Sequence, residues 1–274
     1  MKRYNPKIQN QLVDVEWLKN NIENSDVRII DTRSKNDYEK GHVENSVNIG
    51  LQEIIRTCKG LPAMCVPKER IEAVLGSCGI NNETALVAYD NFGGVFAARF
   101  FWTLEYYGHK KACIFDGSIK RWMDEGEKFT IKIPEVKKAN YHASIDESRL
   151  ATKDWISAHL NDPDVVFLDV RTGSEYTGQT VYGTRGGHIP GAVNLHWLET
   201  IDPATGRFRS IDDLKTMFEN IGVLKEKEII TYCWMGLRAS HMYAILRLCG
   251  YQNVRVYDGS WAEWGEIQAL PVER

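Results

Sequence analysis

The chain has 274 residues, 43% hydrophobic and 26% charged, the make-up of a soluble globular protein with room for two domains. Its 34 basic and 37 acidic residues leave a net charge of −3, which excludes a general nucleic-acid or membrane footprint, so an anionic substrate has to be held by a local site. The opening stretch MKRYNPKIQNQLVDVEWL carries no apolar run, and nothing approaches the about 18 to 20 apolar residues that span a bilayer, so a cytoplasmic location is expected.

Taken in chain order, β-branched runs at 27–31, 84–89 and 112–115 predict strands, and PKERIEAVLGSCG (67–79) predicts a helix ending near a glycine. KIPEVKKANYHASIDESRL, from Lys132, is polar and weakly periodic and reads as a linker between two domains. Further strands are predicted at 165–169, 228–232 and 254–257. SIDDLKTMFENIG (210–222) predicts a helix with Ser210 as its N-cap and Asp213 in its first turn. A last helix begins at about Leu237 or Arg238, buries Met242, Ile245, Leu248 and Cys249, and stops at Gly250. Near-continuous apolar strands alternating with helices predict an α/β fold, each domain a mainly parallel sheet flanked by helices on both faces. In such sheets ligands sit beyond the carboxyl ends of the strands.

The chain repeats itself. CIFDGSIKRWMDEGEKF from Cys113 matches RVYDGSWAEWGEIQAL from Arg255; Asp116 and Asp258 share an offset of 258 − 116 = 142, as do Trp122 and Trp264. RIIDTRSKNDYEKGHVENSVNI from Arg28 matches VFLDVRTGSEYTG…GGHIPGAVNL from Val166, the second copy carrying about eight extra residues (TVYGTRGG) ahead of its Gly-His. Landmarks in the same order imply a duplicated domain: one over 10–130, a linker over 131–149, and a second over 150–274.

The stretch IITYCWMGLRASHMYAIL places a cysteine where a predicted strand ends and a helix is about to begin. The first turn of a helix leaves its backbone N–H groups without internal partners, and with the helix dipole they form a pocket for negative charge. A thiol at Cys233 is therefore expected as a reactive thiolate, with Arg238 supplying a fixed positive charge. The first copy is an internal control. Gly79 and Gly222 each precede the loop by eleven residues (90 − 79 = 11; 233 − 222 = 11), so Asp90 stands at the cysteine position, and at the 142 offset Phe96 stands at that of Arg238. A scaffold that survives without the pair does not need it to fold.

The quoted motifs resemble the tandem-domain rhodaneses, the thiosulfate and 3-mercaptopyruvate sulfurtransferases, over nearly the whole chain. GGHIPGAVN together with a C-terminal YDGSWAEW is a specific signature. The resemblance implies an inactive first domain and an active second one. It implies a persulfide on Cys233, a cradle of the loop amides of Trp234, Met235, Gly236, Leu237 and Arg238, and Arg238 as the closing arginine. Within the loop, where thiosulfate enzymes of the mammalian type carry a basic residue, this chain has Trp234, Met235 and Leu237. Glu175 stands where their donor-binding arginine lies, and Arg185 is the candidate replacement. The serine of the mercaptopyruvate loop is absent, so thiosulfate or a similar small anionic donor is favoured over 3-mercaptopyruvate or a polysulfide, with a thiol, cyanide or a protein as acceptor.

Two other readings compete. A cysteine phosphatase or arsenate reductase uses a loop one residue longer, whereas here 238 − 233 = 5 leaves four residues between thiol and guanidinium. A non-catalytic binding module would form no persulfide. Asp31 with Arg33, Asp169 with Arg171, and His42 and His188 occur in both copies and are expected to be structural, while Cys113 and Cys249 are expected in the core. No metal or cofactor pattern is present, and the sequence is compatible with a monomer without fixing the oligomeric state.

Overall fold

The computed structural model describes residues 12–274. The expected first two residues of domain one, 10 and 11, and most of the opening stretch read for a leader lie outside them. In the first half the strands are β1 (Leu12–Val13), β2 (Val27–Asp31), β3 (Val47–Asn48), β4 (Ile55–Cys58), β5 (Leu61–Cys65), β6 (Ala85–Tyr89) and β7 (Ala112–Phe115). The second half adds β8 (Leu150–Ala151), β9 (Val165–Asp169), β10 (Val193–Asn194), β11 (Glu228–Tyr232) and β12 (Val254–Tyr257). Two five-stranded sheets result, ordered β1-β7-β6-β2-β3 and β10-β9-β11-β12-β8, and every pairing within them is parallel. The second order reversed is the first order strand for strand, so the internal repeat is a repeat of topology.

The centre of each sheet is apolar on both faces. All five residues of β6 are buried, as are the last four of β11. Such strands need cover on both sides, which the crossover helices supply. Ser210 caps the helix Ile211–Asn220 by accepting from the Asp213 amide at 3.1 Å. The linker segment from Lys132 is laid along the first domain. Ala139 N–H donates to Gly76 O at 2.9 Å, Ser144 N–H to Tyr107 O at 3.0 Å, and Tyr141 and Ala143 are buried.

The recurring polar residues are structural, as the repeat implies. Arg33 and Arg171 each close on their own Asp31 or Asp169 at 2.6 Å and donate to Gly41 O or Gly187 O at 2.7 Å. His42 and His188 stack on Tyr38 and Tyr176 with the same 3.7 Å centroid spacing. The short edge strands and the antiparallel β4–β5 pair were not anticipated. The β4–β5 hairpin and its counterpart in domain two, an Ile201–Phe208 bridge, each reach across to the other domain.

Candidate active site

Strand β11 ends at Tyr232, and Cys233 follows at the carboxyl edge of the sheet. The cysteine is 1% exposed. Its N–H donates to Ser260 Oγ at 3.2 Å, and its carbonyl accepts from the Trp261 amide at 3.0 Å. The Trp234 carbonyl accepts from the Ala262 amide at 2.9 Å, so Ser260, Trp261 and Ala262 pin the outgoing chain. The chain then turns at Gly236 in the left-handed region (φ 82°) and enters the helix Leu237–Leu248. None of the amides from Trp234 to Arg238 donates to another described residue, as expected of a first helical turn.

The first domain displays the same turn with its ligand built in. Gly94 (φ 83°) opens the helix Val95–Tyr106. The Asp90 carboxylate accepts from the amides of Phe92 (2.9 Å), Gly94 (2.9 Å), Phe96 (2.8 Å) and Ala97 (3.1 Å). Burial pushes the Asp90 carboxyl up, and these donors pull it back toward the ionised form. The loop of this fold is thus a receptor for a compact anion. Domain one fills it with a side chain of its own, and domain two leaves it to Cys233.

Arg238 lies beside the thiol, but its fork is occupied. Nη1 and Nη2 donate to Glu175 Oε2 and Oε1 at 2.9 and 3.0 Å. Burial works against the charge, yet the Glu175 carboxylate and the Cys233 sulfur hold the guanidinium well above its ordinary range. Glu175 is fixed by a capping box with Thr172. Burial raises its carboxyl, but Arg238 and the Thr172 bonds outweigh this and keep it below the ordinary range. Burial and the nearby Arg238 lower His196, so it adds no cation here near neutral pH.

A lowered native carboxyl stabilises the fold above the unfolded value near 4.5, and that contribution fades as pH falls through the native value. We expect Glu175→Gln to destabilise the protein by about 2–3 kcal/mol at pH 7, because it breaks a partly buried ion pair. The gap from wild type should close as pH drops below about 4.5; urea titrations of both proteins at several pH values measure it.

Arg185 belongs elsewhere, which corrects the expectation of a donor contact. Its Nε donates to Gly265 O (2.9 Å), Nη1 to Leu270 O (2.8 Å), and Nη2 to Trp264 O (2.8 Å) and Ile267 O (2.5 Å). The guanidinium closes the end of the helix Ser260–Trp264 and ties down the C-terminal segment. Arg185→Ala is expected to lose about 2–4 kcal/mol in urea unfolding, while sulfur transfer per folded molecule stays at the wild-type rate.

The extra residues of the second copy pack beside Trp234 of the loop. Tyr182 meets the Trp234 ring at 5.8 Å, and the Thr184 amide donates to Glu266 Oε1 at 2.8 Å. Sequence reasoning did not find Ser260, the Glu175–Arg238 pairing or the Tyr182 contact. The one visible signal for Tyr182 was that its segment exists only in the copy with the cysteine.

A model of the Rhodanese-like domain family matches residues 14–125 and again 152–267. The chain belongs to the rhodanese family. Among similar proteins, this rhodanese is 31% identical over 245 residues to a thiosulfate sulfurtransferase of Azotobacter vinelandii, covering 89% of this chain and 90% of that one. It is 30% identical over 282 residues to the sulfur carrier protein TtuD of Thermus thermophilus, covering 96% of each. A solved structure described as SseA from Escherichia coli, among 3-mercaptopyruvate sulfotransferases, superposes with a TM-score of 0.83 at 25% identity, over 93% of this chain and all of that one. The protein is a sulfurtransferase, an enzyme that takes sulfur from a donor and gives it to an acceptor.

Proposed function

We propose that Cys233 carries the transferred sulfur as a persulfide, that thiosulfate is the donor, and that the first domain is catalytically silent. The observation that carries this reading is the Asp90 carboxylate, held by four amides in the silent copy of the loop. A persulfide anion at the other copy is a compact negative group of the same kind.

The Cys233 thiolate attacks the sulfane sulfur of thiosulfate, a new S–S bond forms, and the old one breaks, with its electron pair leaving on sulfite. Sulfite is a stable anion and needs no proton to depart, so no general acid is required. The amides of Trp234 to Arg238 receive the terminal sulfur. An acceptor nucleophile (cyanide, a thiol or a protein thiol) then attacks that sulfur and returns the thiolate, a two-step covalent cycle. Arg238 fixes the loop electrostatically, and with its fork on Glu175 it offers no bidentate grip to a tetrahedral oxyanion. That favours sulfur transfer over phosphatase chemistry. We propose a cytoplasmic location, with which six cysteines lacking a disulfide pattern agree. Among the described residues no helix is long and apolar enough to cross a membrane.

Rapid mixing with thiosulfate in the absence of acceptor tests the scheme. One equivalent of sulfite per Cys233, and no more, is the expected result. Continuous release without acceptor contradicts a stored persulfide, and pyruvate release from 3-mercaptopyruvate without any sulfite from thiosulfate would move the donor to the mercaptopyruvate class.

A further inference from the structure

Two ion pairs join the domains at matching places. Asp116 accepts from Arg207 Nε at 2.8 Å and from the Phe208 amide at 3.1 Å. Asp258 accepts from Arg99 Nη1 at 2.6 Å and from the Cys65 amide at 2.9 Å. Each aspartate follows the last long strand of its own domain and takes an amide from the other domain's hairpin. The cations differ in origin. The Arg207 side chain lies beside the Phe208 amide and is 48% exposed, whereas that of Arg99 is 0% exposed in the middle of the helix Val95–Tyr106.

The fold itself does not ask for a cation at Arg99. With Gly94 and Gly236 as anchors (236 − 94 = 142), its counterpart is 99 + 142 = 241, and His241 is an uncharged residue there, pushed down to about 3 by burial. Arg99 is also imperfectly satisfied. Nη2 reaches Ala63 O at 2.9 Å and the guanidinium lies 4.5 Å over the Trp102 ring, but Nε has no partner. A buried cation with an orphaned donor is unfavourable unless something else requires it.

What Arg99 braces is the active loop. A Cβ placed on Gly236 would lie 2.9 Å from Asp258 Oδ1 and 3.0 Å from Arg99 Nη1, so the pair packs directly against the turn that aims the loop amides. We propose that Arg99 is a positioning residue for sulfur transfer: from the silent domain it clamps Asp258 against Gly236 and holds the amide cradle of Cys233 in shape. Domain one is thereby part of the catalytic apparatus without touching the substrate. The proposal rests on the reading of Cys233 as the sulfur carrier.

Sulfur uptake from thiosulfate and, separately, capture of Cys233 by iodoacetamide are measured for wild type, Arg99→Met, Arg99→Lys and Arg207→Met. Arg99→Met is expected to load about 100-fold more slowly at saturating donor, with the half-saturating concentration unchanged, since Arg99 meets no substrate. Lysine keeps the charge but cannot reach Asp258 and Ala63 O together, so Arg99→Lys should recover to about tenfold below wild type. Arg207→Met breaks the matching pair and should load and alkylate as wild type does. Equal loss in Arg99→Met and Arg207→Met, or wild-type rates in both Arg99 variants, overturns the clamp. Should Arg99→Met not fold, Arg99→Lys against Arg207→Met decides. Wild type that takes up no sulfur would count against Cys233 as carrier, while the alkylation rates still judge the clamp.

Discussion

Cys233→Ala should abolish sulfur uptake, lowering it by at least about 10⁴-fold, while the protein stays folded. The expectation follows from what the other thiols are. Burial pushes Cys65 and Cys113 up to about 12 and Cys249 up to about 11, so all three stay protonated at neutral pH. Cys78 is raised in the same way. Cys58 ends β4 of the antiparallel β4–β5 hairpin and not a parallel strand. None of the five follows a parallel strand into a helix-opening turn, so no thiol can stand in for Cys233. Losing one buried sulfur costs about 1 kcal/mol of stability, which circular dichroism and urea unfolding will register as a small shift. Residual uptake in the alanine variant, mapped to another cysteine, would contradict the assignment.

The second large effect is expected at Gly236. Its φ of 82° favours glycine, and an added methyl would meet Asp258 Oδ1 at 2.9 Å and both Arg99 Nη1 and Asp258 O at 3.0 Å. Real side chains seldom approach so closely, and neither a buried ion pair nor the main chain yields easily. Gly236→Ala therefore has to move the turn, and the amides it carries move with it. Mispositioned anion donors typically reduce rates by about 10²–10³-fold, and a loss of about 10²-fold in the rate of sulfur loading is expected. Gly222→Ala provides the control. Gly222 has a similar φ of 76°, but no atom lies within 4 Å of its added Cβ. It should lose about 1 kcal/mol of stability through backbone strain and load sulfur normally. If the two variants lose activity alike, strain and not cradle geometry is responsible.

Much of this arrangement was legible in the sequence because it is local or repeated. The strand ending at Tyr232, the glycine turn and the helix beginning at Leu237 lie within a few residues of one another, and their pattern fixes where the thiol sits. The duplication made Asp90 visible as the occupant of the matching position. Its role as an anion already seated in the cradle became visible only when its four amide donors came together. The parts that sequence missed are long-range. Arg238 finds Glu175 across 63 positions and Arg99 finds Asp258 across 159, and nothing near either residue announces its partner. Arg99 sits inside the apolar run VFAARFFWTLEY, where an arginine reads as an oddity of a buried helix. Arg185 looked free because carbonyls are invisible in a sequence, and its four acceptors belong to the C-terminal segment. The β4–β5 hairpin lacks the alternation that marks a half-buried strand, and it holds its place through contact with the opposite domain.

Intact-protein mass spectrometry after incubation with thiosulfate tests the central claim most directly, with wild type and Cys233→Ala side by side. The predicted result is a gain of one sulfur atom on wild type alone, removed by cyanide. Wild type that gains no sulfur from thiosulfate or from 3-mercaptopyruvate, or an alanine variant that gains as much, would contradict a persulfide on Cys233.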